Sequence, residues 1–111
     1  MRKEQRLTKD SEFAKVVKQG RTWIHDLMLL KTLPNGLEFN RYGFIASKKV
    51  GGAVVRNQVR RRMREVARLT PITPGWDLVF IARSQAADAQ YHDLEVAIKV
   101  LLRRARLLLG A

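Results

Sequence analysis

The chain has no cysteine among its 111 residues, which excludes a disulfide framework, a thiol nucleophile and a thiolate metal site. Histidine is nearly as scarce. His25 and His92 stand far apart without H-x-x-x-H spacing, the pattern of surface or turn residues rather than of a metal or His-based catalytic site. The ten acids are scattered, with no Asp-x-Asp pair to hold a two-metal nuclease centre. No apolar run approaches the roughly 20 residues of a membrane span. The opening Met1-Arg2-Lys3-Glu4-Gln5-Arg6 also lacks the apolar stretch of a secretory signal, so a cytoplasmic protein is expected. The polypeptide by itself does not read as a catalyst.

What is present is positive charge: 22 Lys and Arg against those ten acids, a formal net charge of +12. Dispersed positive potential suits a long polyanion whose counterions can be released, so nucleic acid is favoured over acidic small substrates, with an anionic membrane surface the weaker alternative. The length fits one domain, residues 1–111, able to bury a modest core. No internal repeat, low-complexity stretch or linker interrupts it.

After a basic arm, Asp10 is placed to cap a helix over Ser11 to Gln19, with Glu12 in its first turn and Gly20 at its C-terminal end. Phe13, Val16 and Val17 give that helix one apolar side. Arg21 to Leu33 reads as strand material, with room for a bend that splits it in two, and ends at the turn Pro34-Asn35-Gly36. Arg41 to Lys48 is expected as its hairpin partner, with Tyr42, Phe44 and Ala46 on one face and Gly43, Ile45 and Ser47 on the other. Gly51-Gly52 breaks the strand, and a helix follows from Ala53 to Leu69, stopped by Thr70-Pro71-Ile72-Thr73-Pro74-Gly75. Leu78-Val79-Phe80-Ile81-Ala82 is a short continuous apolar run, expected in mid-sheet and buried on both faces. The last helix is expected over Tyr91 to Leu109. Arg103, Arg104 and Arg106 near its end suit the helix dipole better than RNA contact.

The helix at Ala53–Leu69 carries most of the functional information. Between Lys48 and Arg68 lie eight cations and the single acid Glu65. At about 100° per residue, Val55, Val59, Met63 and Val66 fall within roughly 80° and form one apolar stripe. Arg56, Asn57, Arg60, Arg61, Arg64 and Arg68 occupy an arc of roughly 140° on the other side. Arg62 borders the stripe, so its stem is expected to pack and its guanidinium to reach the rim. An ordinary solvated helix mixes charge signs. Like charges at i,i+4 cost a few tenths of a kcal/mol per pair, so this arc makes sense beside a phosphate backbone. Arginine forks onto phosphate, Asn57 adds a directional contact, and Lys48 and Lys49 extend the surface from the preceding strand end. Gly51-Gly52 lacks the G-x-x-x-x-G-K-[ST] frame of a phosphate loop. Phe13 and Val17, one helical turn apart, are either core residues or an apolar wall for unpaired bases.

The string Ser47-Lys48-Lys49-Val50-Gly51, then Ala53-Val54-Val55-Arg56-Asn57-Gln58-Val59-Arg60-Arg61 and Arg64-Glu65, closely resembles the signature of the bacterial ribonuclease P protein subunit. Arg6-Leu7, Asp10-Ser11-Glu12-Phe13, Gly20 and Ile81-Ala82-Arg83 match in order and spacing. The resemblance implies an α+β fold with a four-stranded sheet and α-β-β-β-α-β-α order. It further implies a left-handed βαβ crossover through the Arg-rich helix and a likeness to domain 2 of ribosomal protein S5. It implies partnership with a large catalytic RNA that removes the 5′ leader of precursor tRNA with Mg²⁺ held mainly by RNA and substrate. The protein is then a non-catalytic subunit that contacts the leader, with no obligate protein partner and no membrane.

Carried onto this chain, the resemblance implies that Lys49, Arg56, Asn57, Arg60, Arg61, Arg64 and Arg68 face the catalytic RNA. Gln58 stands at the third position of the family's Arg-Asn-Arg motif. It also implies that Phe13, Val17, Lys31, Ser47, Lys48 and Arg83 line the leader cleft. Relatives often carry aromatics at the Val17 and Lys31 positions, so less stacking and a larger salt-sensitive share of leader affinity are expected here. Two competing readings are a structural ribosomal RNA-binding protein, which needs no cleft, and a helix-turn-helix regulator. The Pro71–Gly75 loop followed by a strand argues against the second.

Overall fold

The stretch from Arg21 to Leu33 folds back on itself at His25-Asp26-Leu27. In the computed structural model, which describes residues 1–110, it forms β1 (Arg21–Ile24) and β2 (Met28–Pro34) as an antiparallel pair. The bend is held by His25, whose Nδ1 accepts the Leu27 amide at 3.0 Å while its own N–H donates to the Met28 carbonyl at 2.9 Å. The remaining elements are α1 (Asp10–Gln19), β3 (Arg41–Ile45), α2 (Ala53–Leu69), β4 (Trp76–Ala82) and α3 (Tyr91–Arg104), with 3-10 turns at Lys3–Gln5 and Ser84–Asp88. The order α-β-β-β-α-β-α and the four-stranded sheet are those the resemblance implied.

The expected hairpin between β2 and β3 does not form. The strand order is β1-β2-β4-β3, with β4 antiparallel to β2 and parallel to β3. The cause lies in β4: Leu78, Val79 and Phe80 are fully buried, which demands a strand on each edge and cover on both faces. The Asn35–Asn40 loop serves that arrangement instead of closing a two-residue turn. Asn35 donates its side-chain amide to the Phe39 carbonyl at 3.2 Å and to Asp77 Oδ1 at 3.0 Å, and its backbone N–H donates to the Gly75 carbonyl. Parallel neighbours need a crossover, and α2 supplies it.

On one face of the sheet Met28, Leu30, Tyr42, Leu78 and Phe80 meet Val59, Met63 and Val66 of α2 and Leu94, Ile98 and Leu101 of α3. Phe44 stacks between Tyr42 and Phe80, with ring centroids 6.3 and 5.7 Å away. On the other face Val16 of α1, Val79 and Leu7 form a smaller cluster edged by Phe13, Leu33, Ile45 and Ile81.

Two helix ends differ from expectation, the start of α1 and the end of α3, while Gly20 closes α1 as expected. Helix α1 begins at Asp10, so Asp10 is not its cap. Lys9 holds that position, and the Glu12 carboxylate reaches back to the Lys9 and Thr8 amides at 3.2 and 3.3 Å. Gly20 has an extended backbone. It is required because a Cβ there would lie 2.5 Å from the Val16 carbonyl and 2.9 Å from that of Thr32. Helix α3 stops at Arg104 rather than Leu109, closed by Arg106 at φ +60°. Residues beyond it pair with the Pro71–Thr73 segment instead: Thr73 N–H donates to the Leu107 carbonyl at 2.8 Å and Leu109 N–H to that of Pro71 at 3.1 Å. Arg104 donates to the Ile24 carbonyl at 2.8 Å, tying the helix end to β1.

A charged triad locks α1 to the sheet. Asp77, almost wholly buried, receives both Nε and Nη2 of Arg41 at 2.9 and 2.7 Å, and Arg41 Nη1 donates to Glu12 at 2.6 Å. Removing Arg41 strands the Asp77 charge. Arg41→Ala is therefore expected to lower the urea-unfolding free energy by about 3 kcal/mol. The Glu12 carboxyl is held below its ordinary value of 4.5 by the Lys9 amide, aided by Thr8 and Arg41. A lowered folded-state pKa gives stability that is present above 4.5 and lost as pH falls through the folded value, so Glu12→Gln is expected to flatten acid destabilisation below that pH.

Candidate nucleic-acid interface

Because Val59, Met63 and Val66 are buried against the sheet, the helix wheel turns the arginine arc of α2 outward. Asn57, Gln58 and Arg61 are exposed, and Arg56, Arg60 and Arg64 are half-buried. Arg60 is fixed by donating to Asn57 Oδ1 and, at 3.4 Å, to the Ala46 carbonyl. Arg64 lies over the Phe44 ring, its guanidinium carbon 5.8 Å from the centroid. Burial, then the nearby Arg6 and Arg60 charges, pull the Arg64 pKa below the usual arginine value. Arg62 donates to the Ala89 carbonyl at 3.3 Å, at the rim as its place on the wheel implied. Arg68 differs from the others, since Glu65 receives it at 2.6 Å and neutralises it.

The second surface lies on the other side of the sheet, where α1 covers only part of the strands. Ile24, Leu29, Ile81 and Ile45 are register partners across all four strands and form one aliphatic row. Ile24 is 59% exposed and the other three are half-buried. The next row runs Thr22, Lys31, Val79 and Gly43. Phe13 stands directly on Gly43, where an added Cβ would lie 2.3 Å from its ring. Lys31 donates to Thr22 Oγ1 at 2.8 Å. Ser47 and Lys48 follow β3 and Arg83 follows β4, so all three sit beyond the aliphatic row at the same end of the sheet. Arg83 Nη1 donates to the His25 carbonyl at 3.4 Å.

The structure thus groups Phe13, Lys31, Ser47, Lys48 and Arg83 around one uncovered sheet face, with Val17 one helical turn beyond Phe13 and 39% exposed. Phe13 is partly buried, packing with Leu7, Val16 and Val79 while bordering the open face. Lys49 is exposed in the turn between the two surfaces. The aliphatic row was missed in the sequence. Ile81 and Ile45 read as ordinary strand interior, and only the strand register reveals that they are left half-open. Arg6 was also missed: it pairs with Tyr42 in an isolated parallel bridge, alongside α2.

The two histidines, distant in sequence, line one groove of about 480 Å³ with Asp26, Asp88 and Asp93. Among the described residues, however, no three His, Asp or Glu side chains gather closely enough to hold a metal ion. No helix among them is long and apolar enough to cross a membrane.

Comparison with known proteins gives a consistent answer. The Ribonuclease P family model matches residues 1–106. The ribonuclease P protein component of Dehalococcoides mccartyi strain CBDB1 is 49% identical over 97% of this chain and 90% of its own length. That of Roseiflexus castenholzii is 44% identical over 100% and 93%. Among solved structures, the Staphylococcus aureus RNase P protein superposes with a TM-score of 0.85 at 27% identity, covering 94% of this chain and 97% of that one. The Thermotoga maritima RNase P protein gives 0.82 at 26% identity, covering 89% and 96%.

The two apolar cleft residues of α1 are separable by stability. Phe13→Ala is expected to cost about 2–4 kcal/mol in urea unfolding because it opens the packing over Gly43. Val17→Ala is expected to stay within about 0.5 kcal/mol.

Proposed function

The chain belongs to the ribonuclease P protein family, and from that membership we propose that it uses its two basic surfaces for two different RNAs. As a ribonuclease P protein component it serves an endoribonuclease complex that processes tRNA. In the proposed division, α2 and its flank, Lys49, Arg56, Asn57, Arg60, Arg61 and Arg64, bind the RNA subunit. The cleft bounded by Phe13, Val17, Lys31, Ser47, Lys48 and Arg83 takes the 5′ leader of precursor tRNA.

The observation that carries this reading is the separation of the two surfaces by chemistry. The α2 face is almost purely cationic, suited to the phosphates of a folded RNA. The cleft combines an aliphatic floor with cations at its margins, suited to unpaired nucleotides whose bases need an apolar contact. Arg68 contributes less than the others, because Glu65 already holds it. With Val17 and Lys31 in place of rings, leader affinity rests more on charge than on stacking, and its salt dependence is correspondingly steep.

The chain's own residues do not fit a Mg²⁺ centre. Asp77 and Glu12 are consumed by Arg41, and among the described residues no three His, Asp or Glu side chains, those of the His25–His92 groove included, gather closely enough to hold a metal ion. We therefore assign Mg²⁺ to the RNA subunit and substrate and the cleavage step to the RNA, with the protein contributing position and charge neutralisation. No feature of the structure favours the ribosomal-protein alternative.

Reconstitution tests the proposal. Purified protein added to ribonuclease P RNA at low Mg²⁺ is expected to stimulate 5′ cleavage of precursor tRNA, and protein alone to cleave nothing. Protein-only cleavage would overturn the assignment of the chemistry. The double variant Lys48→Gln, Arg83→Gln is expected to weaken holoenzyme binding of leader-bearing precursor about tenfold, about 1.4 kcal/mol, while affinity for leaderless tRNA is unchanged.

A further inference from the structure

Strand β3 is an edge of the sheet, and three arginines that no carboxylate pairs among the described residues are attached along it. Arg6 is the bridge partner of Tyr42, Arg64 lies 5.8 Å over the Phe44 ring, and Arg60 donates to the carbonyl of Ala46. Tyr42, Phe44 and Ala46 are alternate residues along β3 and just past its end, so the points to which the three arginines are attached follow one another at two-residue steps. Each step is about 6.6 Å of strand, and the Tyr42 and Phe44 rings are 6.3 Å apart. That is the step of successive phosphates along one nucleic-acid strand.

Arg6 belongs on this face for a definite reason. Bridged residues of adjacent strands point the same way, and Tyr42 faces the α2 side while the next residue, Leu7, enters the cluster under α1. The Arg6 and Arg60 charges are close enough to lower the Arg64 pKa. The chain therefore holds three like charges together without a counterion of its own.

We propose that Arg6, Arg64 and Arg60 form a phosphate ladder along the β3 edge, contacting three consecutive phosphodiesters of a single strand of the RNA subunit. This rests on the assignment of α2 to that RNA and deepens it: the N-terminal arm becomes part of the binding surface, and the strand's direction is set by β3. The ligand chemistry is a run of phosphodiesters, so bases go unread at these positions.

The test is the salt dependence of protein binding to ribonuclease P RNA. Arg6→Gln, Arg60→Gln and Arg64→Gln are each expected to reduce the slope of log K against log salt by about 1, while Arg6→Lys retains it. Arg6→Gln is expected to fold normally, since the bridge at Tyr42 is made by the backbone, Leu7 N–H to the Tyr42 carbonyl at 2.9 Å. RNA carrying single neutral methylphosphonate linkages fixes the register. The linkages to which the Arg6, Arg64 and Arg60 variants become insensitive are expected to be consecutive, in that order. An unchanged slope for Arg6→Gln with losses for the other two, or insensitive linkages that are not neighbours, would overturn the ladder and leave the α2 assignment standing. Unchanged slopes for all three would overturn that assignment as well.

Discussion

The fold depends on one constraint: β4 is apolar on both faces and cannot lie at an edge. Leu78 and Phe80 need cover on one side and Val79 on the other, so β4 is inserted between β2 and β3 and drives them apart. Once β3 and β4 lie parallel, the connection between them must cross a face, and α2 is that crossing. Its Val59–Met63–Val66 stripe is spent on the sheet, which leaves the arginine arc nowhere to point but outward. On the opposite face Val79 is covered only by Leu7 and by α1, a ten-residue helix too short to roof four strands. The open aliphatic row is the remainder. Both candidate surfaces thus follow from the burial of six residues, Leu78, Val79 and Phe80 of β4 and Val59, Met63 and Val66 of α2.

Charge is handled in two contrasting ways within this frame. Arg41 is matched by two carboxylates, and its pKa is raised by the hydrogen bond to Asp77, with further help from Glu12. Here an ion pair organises the packing of α1 on β3 and β4, and breaking it costs several kcal/mol because a charge is left in the interior. The α2 surface does the reverse. Arg64 is partly desolvated and surrounded by Arg6 and Arg60, so the free protein carries unfavourable repulsion that a polyanion relieves on binding. Each like-charge pair is small in water, a few tenths of a kcal/mol, yet all act in the same direction and all favour one class of ligand.

Much of this was legible in the sequence where local signals agree. Helix α2 has the expected bounds, Ala53–Leu69, because Gly51-Gly52 and Thr70-Pro71 punctuate a clean 3.6-residue pattern. The mid-sheet position of β4 followed from its unbroken apolar run. Pairing was not legible: Pro34-Asn35-Gly36 looks like a hairpin turn, and only the competing demand of β4, forty residues on, sends β3 elsewhere. The end of α3 failed similarly, since Leu108 continues the helical spacing of Leu94, Ile98 and Leu101 but is bridged to Ile72, with the backbone of Leu107 and Leu109 bonded to Thr73 and Pro71. In the site, the cations were visible as residue types, whereas the half-open row of Ile24, Leu29, Ile81 and Ile45 exists only through register. A continuous apolar strand gives no hint which of its faces is left uncovered.

On the proposed reading, the placement of the two surfaces bears on how the protein assists a cleavage carried out by RNA. The arginine arc and the half-open aliphatic cleft lie on opposite sides of the sheet, and the turn from Ser47 to Val50, which carries Lys48 and Lys49, joins them. That turn is short and closed by the Val50 amide donating to the Ser47 carbonyl at 3.0 Å. On the proposed reading, RNA held by α2 and leader held by the cleft are therefore fixed relative to each other by a rigid sheet rather than by a flexible linker. Fixing two partners in this way converts part of a bimolecular encounter into an intramolecular one, a gain in effective concentration that needs no chemistry from the polypeptide. The same proposed reading accounts for the distribution of the cations. A protein that only bound the RNA subunit would need the α2 arc and nothing else, and Lys31 and Arg83 would be surplus charge around an aliphatic row that ordinary folding has every reason to cover.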